Sequence, residues 1–416
     1  MGLDRAIGGS IGVVGGGQLA LMLAEAASQA NVQLHVQTPL ADDPATRLAT
    51  SVVLAPLDDL AATRELAQRS EAISFENEWV DLDALKVLET EGVVFLPKIE
   101  ALRPLVCKRA QRELLYRLNL PSPQWIALEE LLPPPLLPSG SPLVGVASPG
   151  PATQPASSLP DGFSFPVMAK ASTGGYDGRG TRLIHDQEEL NDLLERVIPT
   201  EWLLEEFVRF EQELAMVACR DRHGSVACFP LVQTHQHQQI CDWVIAPAAV
   251  SQAVEARARN VAASLLTSLD YVGVLSIEFF FGPAGLQINE LAPRTHNSGH
   301  YTIEATHTSQ FAQQLRIVCG QPLGETGLKR PGALMVNLLG YGGSDHTYED
   351  QRQVLAALPG ATVHWYGKSA SLPGRKLGHL TIPLNENDPQ RRAAEARSLL
   401  EEVRRVWPLP LESGLS

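Results

Sequence analysis

Short apolar runs alternate with longer stretches of helical periodicity over about the first hundred residues. Runs that predict strands cover 10–14, 32–37 and 72–75, and helical periodicity covers 18–28 and 80–89. The two periods identify the two kinds of element, because side chains alternate along a strand and recur every three to four residues along a helix. Their alternation predicts a parallel, doubly wound sheet of the α/β type.

The remainder of the chain has longer strands and fewer helices, which predicts an α+β arrangement. Predicted strands cover 166–170, 202–207, 214–219, 225–232, 273–281, 286–290, 333–338, 362–366 and 379–382. Predicted helices cover 107–118, 187–197, 253–268 and the segment from 390 onward. A tight turn at 282–285 contains Gly and Pro, so we expect the strands on either side of it to form a hairpin.

The composition is typical of a globular enzyme. The 416 residues are 44% hydrophobic and 19% charged, and this length predicts two or three packed units. The net charge of −14, without a long Lys/Arg run, argues against nucleic-acid binding, which requires a basic surface. No stretch approaches the roughly 20 apolar residues of a membrane span. The five cysteines have no C-x-x-C spacing, so we expect reduced thiols and a cytoplasmic location.

One long segment, about 133–162, is dense in Pro, Ser, Gly and Ala. Such a composition cannot bury a core, so we predict a surface loop. A long loop is tolerated because closure entropy rises only slowly with loop length.

The first glycine motif, 15–20, reads G-x-G-x-x-A between a predicted strand and a predicted helix. Backbone N–H groups at such a helix start can bind a phosphate. The same spacing occurs in NAD-binding folds, and an NAD-dependent oxidoreductase is therefore one alternative. A nicotinamide site also needs an acidic residue at the end of the second strand. That strand ends Val36-Gln37-Thr38-Pro39, without an acid, so the NAD interpretation has little support.

The second glycine motif, 173–180, has four glycines that surround Tyr176, Asp177 and Arg179. Glycines let the backbone fold closely over phosphates, and Arg179 adds a fixed positive charge. A loop of this kind between two strands can act as a lid that excludes water. Lys170 lies just before it at the end of a predicted strand, where it can pair with phosphate oxygens.

Two acidic residues interrupt the apolar strands of the predicted hairpin. Glu278 lies in the run LSIEFFF and Glu290 ends the run LQINE. Carboxylates in such apolar strands are costly unless a cation accompanies them. If the strands pair across the turn, both carboxylates can face one point and, with nucleotide phosphates, bind Mg²⁺.

Three more acids, Glu205, Glu206 and Glu213, come after Trp202, the start of a predicted strand. In a nucleotide site, the backbone of a strand-to-linker segment such as 205–208 can bind an adenine edge, and a carboxylate such as Glu213 can bind ribose hydroxyls. From the sequence alone, each of these acids is equally well explained as a solvated charge.

Together, these motifs resemble the ATP-grasp superfamily, and within it the 5-(carboxyamino)imidazole ribonucleotide synthases. The resemblance covers nearly the whole chain. It rests on the segments GGGQL (15–19), GGYDGRG (174–180), NELAPRTHNSGH (289–300), and HWYGK (364–368) followed by PGRKLGH (373–379). The last two are the most specific, because other ATP-grasp enzymes share the metal-binding carboxylates but not these strings.

The resemblance implies three domains: a Rossmann-like pre-ATP-grasp domain at 1–105, an ATP-grasp domain at 106–320, and a small β-rich domain at 321–416. It also implies a homodimer and the cofactors ATP and Mg²⁺. The substrates would be 5-aminoimidazole ribonucleotide and bicarbonate, which reacts through carboxyphosphate in purine biosynthesis.

The resemblance also assigns residues to roles. Those implied to bind ATP are Lys108, Lys170, Gly175, Tyr176, Asp177, Gly178, Arg179, Gly180, Thr181, Glu205, Glu206, Phe207, Val208, Glu213, Gln236, Asn289 and Glu290. Those implied to bind the metal are Glu278 and Glu290. Those implied to surround the ribonucleotide are Gly17, Gln18, Leu19, Glu76, Tyr176, Asp177, Lys368, Arg375 and Lys376. Those implied to act in catalysis are Tyr176, Asp177, Arg179, Arg294, His296 and Asn297.

The chain departs from the family pattern at two of these positions. Lys108 stands where the family often has Arg, which keeps the charge but not the planar fork. Gln236 stands where the family usually has His, and His235 and His237 flank it, so three residues are candidates for that position.

Two alternatives remain besides the oxidoreductase. One is another ATP-grasp purine ligase that uses formate or glycine, against which the Lys368 and Arg375-Lys376 segment argues. The other is a nucleotide-binding scaffold without activity, against which Glu278 and Glu290 argue.

Overall fold

The computed structural model describes residues 9–132, 159–174, 180–343 and 346–410. Most of the proline-rich segment, at 133–158, lies outside the described residues, as does 175–179 of the second glycine motif. The predictions of a surface loop and of a phosphate-covering lid therefore stay predictions.

The N-terminal sheet has four parallel strands in the order β3-β2-β1-β4. They are β1 (Ser10–Val14), β2 (Gln33–Thr38), β3 (Ser51–Leu54) and β4 (Ala72–Phe75). The helices of this region are α1 (Gln18–Ala30), α2 (Leu60–Gln68), α3 (Leu82–Thr90) and α4 (Ile99–Leu102). The prediction of a parallel sheet is confirmed. The prediction that 72–75 is the third strand is wrong, because β3, a short edge strand with only Val53 buried, precedes it.

A second sheet contains four antiparallel strands in the order β5-β8-β6-β7. They are β5 (Trp125–Ala127), β6 (Val167–Ala171), β7 (Thr181–Ile184) and β8 (Trp202–Glu206). Helix α5 (Lys108–Arg117) precedes this sheet along the chain, and α6 (Gln187–Arg196) lies between β7 and β8. Asp186 caps the start of α6, because its carboxylate accepts a hydrogen bond from the backbone N–H of Glu189.

The third sheet contains nine strands within the described residues. Its order is β14-β13-β9-β11-β12-β15-β17-β16, with β10 paired to β9. The strands are β9 (Gln212–Arg220), β10 (Val226–Cys228), β11 (Val232–His237), β12 (Ile240–Ala246), β13 (Gly273–Gly282), β14 (Gly285–Ala292), β15 (Gly332–Leu339), β16 (Thr362–Trp365) and β17 (Lys376–Leu384). The helices are α7 (Gln252–Ser268), α8 (Thr302–Ala305), α9 (Gln310–Val318), α10 (Glu349–Ala356) and α11 (Pro389–Val406).

One predicted strand of this sheet is wrong. The segment 225–232 forms two strands, because Phe229, Pro230 and Leu231 separate β10 from β11. Proline has no backbone N–H to donate to a ladder, which explains the break.

Buried polar contacts join the N-terminal sheet to the nine-stranded sheet. The amide of Gln314, on α9, donates to Ser74 Oγ on β4 at 2.9 Å and accepts from the backbone N–H of Val274 on β13 at 2.8 Å. Both ends of this amide are thereby satisfied inside the protein. Among the described residues, we find no helix with the length and apolar character needed to cross a bilayer.

Candidate functional site

The two acids predicted to bind a metal lie directly opposite each other. Strands β13 and β14 form the predicted antiparallel hairpin, and Glu278 is the register partner of Glu290. A register shift follows immediately between Glu278 and Phe279. Direct partners on antiparallel strands point to the same face, so both carboxylates lie on one side of the sheet.

The pKa values of the two acids shift in opposite directions. Burial, followed by the negative charges of Glu290 and Glu213, raises the pKa of Glu278 to about 7. Burial also acts on Glu290, but the charge of Lys108 and its hydrogen bond outweigh that effect and lower the pKa of Glu290. The pKa of Glu278 therefore stays raised in spite of the cations nearby, which suits a divalent cation shared by the two carboxylates.

Lys108 connects this acid pair to the start of the second glycine motif. It is the first residue of α5, and its Nζ lies 2.7 Å from Glu290 Oε1. Its backbone N–H donates to the carbonyl of Ser172 at 2.8 Å. A small cleft lies here, and its lining includes Lys108, Ser172, Thr173, Gly174 and Glu290. Glu290 and the first residues of the motif therefore border one cleft.

Lys170 lies at the base of this region in a buried network. Its Nζ contacts Glu205 Oε2 at 2.7 Å and donates to Asn289 Oδ1 at 3.2 Å. The other oxygen of Glu205 accepts from Arg112 Nε at 2.6 Å. Burial would raise the pKa of Glu205, but the charges and hydrogen bonds of Arg112 and Lys170 lower it to about 2. Glu205 therefore stays ionised and fixes Lys170.

Gly180, the last residue of the second glycine motif, lies immediately before β7. Gly180 has a positive φ of 74°, and its carbonyl accepts from the backbone N–H of Ala171 at 2.7 Å. Thr181 begins β7 and pairs with Lys170 across the sheet. The other predicted residues of the motif, Gly175, Tyr176, Asp177, Gly178 and Arg179, lie outside the described residues.

The predicted adenine-contacting segment, 205–208, includes the last two residues of β8 and the two that follow it. Glu206 is the last residue of the strand, and its carboxylate accepts from the backbone N–H of Gln124 at 3.0 Å. Phe207 is exposed and Val208 is half-buried, both beyond the strand. The segment therefore leaves the sheet where the prediction requires a linker.

Glu213 lies on the same face of the sheet as the acid pair. It is the register partner of Phe280, two residues from Glu278, and of Thr234 on β11. Burial raises the pKa of Glu213 to about 7, although the charge of His235 acts against this.

Gln236, predicted to contact the nucleotide, lies at an irregularity in the pairing of two strands. Strands β11 and β12 change register between His235 and Gln236. His235 stacks on Trp243 at 5.2 Å between ring centroids, and its Nδ1 lies 3.4 Å from Asp242 Oδ2. His237 Nε2 lies 3.3 Å from the carbonyl of Pro410. Of the three candidates, His235 is therefore the one whose charge reaches Glu213.

The first glycine motif forms a tight cradle around Glu76. A side chain at Gly17 would place its Cβ 2.5 Å from Glu76 Oε1, so a larger residue there would displace this carboxylate. The backbone N–H of Leu19, at the start of α1, donates to the same oxygen at 3.4 Å. Gln18 is the first residue of that helix. Burial raises the pKa of Glu76, while the charges of Arg294 and Lys368 oppose the shift.

Arg294 and His296, both predicted to act in catalysis at the bicarbonate end of the site, have different environments. Arg294 forms a two-point pair with Glu78, at 2.7 and 3.3 Å. His296 Nε2 lies 3.8 Å from Glu278 Oε1, and burial, then the charges of Arg294 and Lys376, hold the pKa of His296 well below its usual value. A neutral imidazole thus faces the acid pair.

The amide of Asn297 is held in a buried pair. It exchanges two hydrogen bonds with the amide of Asn337, at 2.9 and 2.6 Å. This pairing uses one of the two N–H groups of Asn297 and fixes the orientation of its side chain.

The three basic residues predicted to hold the ribonucleotide come from one loop and the strand after it. Lys368 Nζ lies 5.7 Å from the ring centre of Tyr366. Arg375 donates to the carbonyl of Ala370 at 2.8 Å. Lys376 begins β17, and its charge acts on both Glu278 and His296. The C-terminal part of the nine-stranded sheet thereby contributes a cation to the acid pair.

Three further residues of the site were absent from the sequence-based set. They are Glu78, which pairs with Arg294; Asn337, which pairs with Asn297; and Arg112, which pairs with Glu205. A signal existed only for Arg112: it lies four residues after Lys108, which puts both on one face of α5.

A larger cavity, of about 300 Å³, lies at the edge of the N-terminal sheet. Its lining includes Arg64, Glu71, Glu91 and Val94. It contains none of the predicted site residues, so its size does not make it the active-site candidate.

Three family models match successive parts of the chain. The model of the ribonucleotide synthetase preATP-grasp domain matches residues 9–105. The model of the ATP-grasp domain matches 152–311, and that of the phosphoribosylaminoimidazole carboxylase C-terminal domain matches 333–393.

Similar proteins cover nearly the whole chain. An N5-carboxyaminoimidazole ribonucleotide synthase of Synechococcus elongatus is 48% identical over 400 residues, which is 96% of both chains. One from Synechocystis is 44% identical and spans 96% of this chain and 98% of the relative. A crystal structure of the Aspergillus clavatus enzyme with ATP has a TM-score of 0.82 at 29% identity, covering 97% of this chain and all of the other. The same enzyme with ADP and 5-aminoimidazole ribonucleotide has a TM-score of 0.81 at 28% identity, covering 96% and 100%.

The sheets, the acid pair and the matched domains together define an ATP-grasp enzyme, which is an ATP-dependent ligase. The predicted fold class is confirmed, with its pre-ATP-grasp, ATP-grasp and C-terminal parts. The chain belongs to the N5-carboxyaminoimidazole ribonucleotide synthase family. The oxidoreductase, the formate- or glycine-using ligases and the inactive scaffold are left without support.

Proposed function

We propose that this chain carboxylates 5-aminoimidazole ribonucleotide with bicarbonate and ATP, giving 5-(carboxyamino)imidazole ribonucleotide, ADP and phosphate in purine biosynthesis. The observation that carries the proposal is the register pairing of Glu278 with Glu290, with Lys108 Nζ 2.7 Å from Glu290. Family membership supports the same reaction.

The acid pair is the proposed Mg²⁺ site. Two carboxylates on one face, one of them with a raised pKa, fit a divalent cation that both can share. When bound, Mg²⁺ would neutralise phosphate charge during phosphoryl transfer. Asn289, the neighbour of Glu290 on β14, would add a polar contact to the nucleotide.

The proposed nucleotide contacts come from both sides of the cleft. Lys108 and Lys170 would pair with phosphate oxygens, and Gly175 to Thr181 would cover the phosphates. The backbone of residues 205–208 would bind the adenine edge. Glu213 would accept from the ribose hydroxyls, and Gln236 or His235 would contact the nucleotide beside it.

Bicarbonate would attack the γ-phosphorus and displace ADP to give carboxyphosphate. The exocyclic amine would then capture the carboxyl carbon of that intermediate, or of CO₂ released from it, as phosphate leaves. Arg294 and His296 would hold the bicarbonate end, with Asn297 beside them. Gly17, Gln18, Leu19 and Glu76 would contact the ribonucleotide from α1. Lys368, Arg375 and Lys376 would bind its phosphate end, and Tyr176 and Asp177 would handle the amine proton. Catalysis is then largely positioning and charge neutralisation.

Three wider proposals accompany the reaction. The domains are proposed to divide at about residues 105 and 320, as the sequence predicts. The enzyme is proposed to be a homodimer located in the cytoplasm, and sedimentation of the full chain would test the dimer.

A coupled assay of ADP release tests the reaction. Full release should require Mg·ATP, bicarbonate and 5-aminoimidazole ribonucleotide together, and the carbamate product should appear in equal amount. Release with formate but not with bicarbonate would contradict the proposal and favour a formate-using ligase.

A further inference from the structure

Arg112 is buried at the junction of two sheets and uses its whole guanidinium group there. Its Nε donates to Glu205 Oε1 on β8 at 2.6 Å. Its Nη1 and Nη2 donate to the backbone carbonyls of Ile288 and Asn289 on β14, at 3.3 and 2.7 Å. Its side chain is only 3% exposed, so water cannot replace these contacts.

These contacts cross from the four-stranded sheet to the nine-stranded sheet. Strand β8 belongs to the first, and β14, which carries Glu290, belongs to the second. Helix α5 also holds β14 through Gln111, whose amide contacts the backbone N–H and carbonyl of Leu291 at 3.1 and 2.9 Å. Lys108, Gln111 and Arg112 therefore attach three consecutive parts of β14 to one helix face.

The charges of this network are unequal. Arg112 and Lys170 share the single carboxylate of Glu205, with contacts of 2.6 and 2.7 Å to its two oxygens. The buried trio therefore has one net positive charge. In surroundings with little water, such a charge acts strongly on an anion in the adjoining cleft. Glu205 also holds Lys170 in one orientation instead of neutralising it fully.

We propose that Arg112 is a positioning residue for the nucleotide. It occupies one oxygen of Glu205, so that Lys170 keeps its charge available for the phosphates, and it fixes the backbone on which Asn289 and Glu290 stand. The inference rests on the proposed function, since it assumes that Lys170 and Glu290 serve ATP. Arg112 itself need not touch the nucleotide.

Arg112→Met tests the proposal, because Met fills similar space without charge or donors. The dissociation constant and KM for Mg·ATP should rise about tenfold or more, as expected for a lost charge-assisted interaction. The KM for 5-aminoimidazole ribonucleotide should change less than about twofold. A purely structural arginine would lower the yield or kcat and leave the ATP constants unchanged, and that result would overturn the proposal.

Arg109→Met is the matched control. Arg109 lies on the same helix, but it pairs with Glu113 and Glu129 at the surface. Its ATP constants should equal those of the wild type, and a rise like that of Arg112→Met would overturn the proposal. Arg112→Lys keeps the charge but not the fork, and its dissociation constant should lie between those of the wild type and Arg112→Met.

A double variant keeps the test decisive if Arg112→Met does not fold. Arg112→Met with Glu205→Gln removes the carboxylate that would otherwise lose its main partner. Because Glu205→Gln alone already releases Lys170, the double variant is compared with that single variant: Mg·ATP binding by calorimetry that is weaker than that of Glu205→Gln supports the proposal, whereas equal binding overturns it. Calorimetry with Mg·ATP alone also separates the two proposals: a wild type that binds ATP without carboxylating the ribonucleotide contradicts the function, not the positioning.

Discussion

Individual side chains in this site depend on a few charges that are shared rather than paired one to one. Glu278 and Glu290 share Lys108, while Arg112 and Lys170 share Glu205. When one of these charged residues is replaced, one partner loses a favourable contact and another is relieved of repulsion or competition. We therefore expect such a replacement to affect function more than stability.

The first prediction concerns Glu290. Glu290→Ala should reduce ADP formation by about a hundredfold or more, because a proposed metal ligand is removed from the phosphoryl-transfer site. The melting temperature should change little, since the loss of Lys108 pairing is offset by relief of repulsion with Glu278. The coupled ADP assay and a thermal melt measure both quantities.

Glu113→Gln is the control for Glu290, because Glu113 is an exposed acid on α5. It should retain wild-type turnover. Near-normal turnover of Glu290→Ala would instead show that the metal site is wrongly assigned.

The second prediction concerns Arg375. Arg375→Ala should raise the KM for 5-aminoimidazole ribonucleotide by about tenfold or more, because the cation proposed to bind its phosphate is lost. The KM for ATP should change far less. Steady-state kinetics with each substrate varied in turn decides the matter, and equal effects on both constants would contradict the assigned role.

At the scale of elements, a group of histidine rings connects His300, just before α8, to strands β16 and β17 of the large sheet. The rings of His364 on β16 and His379 on β17 lie 4.4 Å apart and 9° from parallel, and His300 lies 4.7 Å from His379. Glu304, His364 and His379 offer ligand atoms within 4.8 Å of one another. Parallel rings cannot both direct a nitrogen lone pair at one ion, so this cluster is poorly arranged for a metal.

The third prediction concerns the pH dependence of stability at this cluster. Burial acts to lower the pKa of His364, but its hydrogen bond to Glu304, at 2.7 Å, and the charges of Glu304 and Glu25 raise it overall. The folded state therefore binds this proton more tightly than the unfolded state. The stabilisation is full below the unfolded pKa and is lost as the pH rises through the folded pKa.

Urea unfolding of the wild type and His364→Gln from about pH 6 to about pH 8 measures this contribution. The free-energy advantage of the wild type should shrink as the pH rises. Burial is the main cause that holds the pKa values of His300 and His379 well below normal, and the charge of His364 is a smaller one, so both imidazoles stay neutral over this range in the two proteins. Nearby Arg47 is charged in both. An advantage that grows with pH would contradict the assignment.

Elements with a strong local signal could be predicted from sequence, and elements set by distant contacts could not. The hairpin carrying Glu278 and Glu290 was predictable, because apolar strands flank a Gly-Pro turn. Strand β3 was not, since its four residues form an edge strand that only the parallel partner β2 defines. Arg112 escaped prediction because its partners on β8 and β14 are 93 to 177 residues away in the chain.

At the scale of the whole molecule, buried polar groups join the sheets. Each of them stabilises the fold only if its donors and acceptors are hydrogen-bonded. Gln314 is the example between the N-terminal sheet and the nine-stranded sheet. Neither its burial nor its partners follow from the local sequence of α9, which reads as an ordinary amphipathic helix.

The fourth prediction concerns this amide. Gln314→Met should reduce the free energy of unfolding by about 1–3 kcal/mol, because the buried N–H of Val274 loses its side-chain acceptor. Urea unfolding measures the change. Gln252→Met, at an exposed position at the start of α7, should leave stability within about 0.5 kcal/mol. Equal effects of the two substitutions would show that the amide link is unimportant.

The large sheet extends from the hairpin strands to the C-terminal strands without interruption. In a flat sheet, five strand spacings of about 4.8 Å would separate β13 from β17. The segment that follows β14 nevertheless reaches the strands at the other end of this sheet: Asn297 bonds to Asn337 on β15 at 2.9 Å, and the ring of His300 lies 4.7 Å from that of His379 on β17. All four residues are buried, so these contacts are fixed when the chain folds. The separation between the acid pair and Lys376, the cation proposed for the ribonucleotide, is thus preorganised, and ligand binding incurs no entropy cost to establish it.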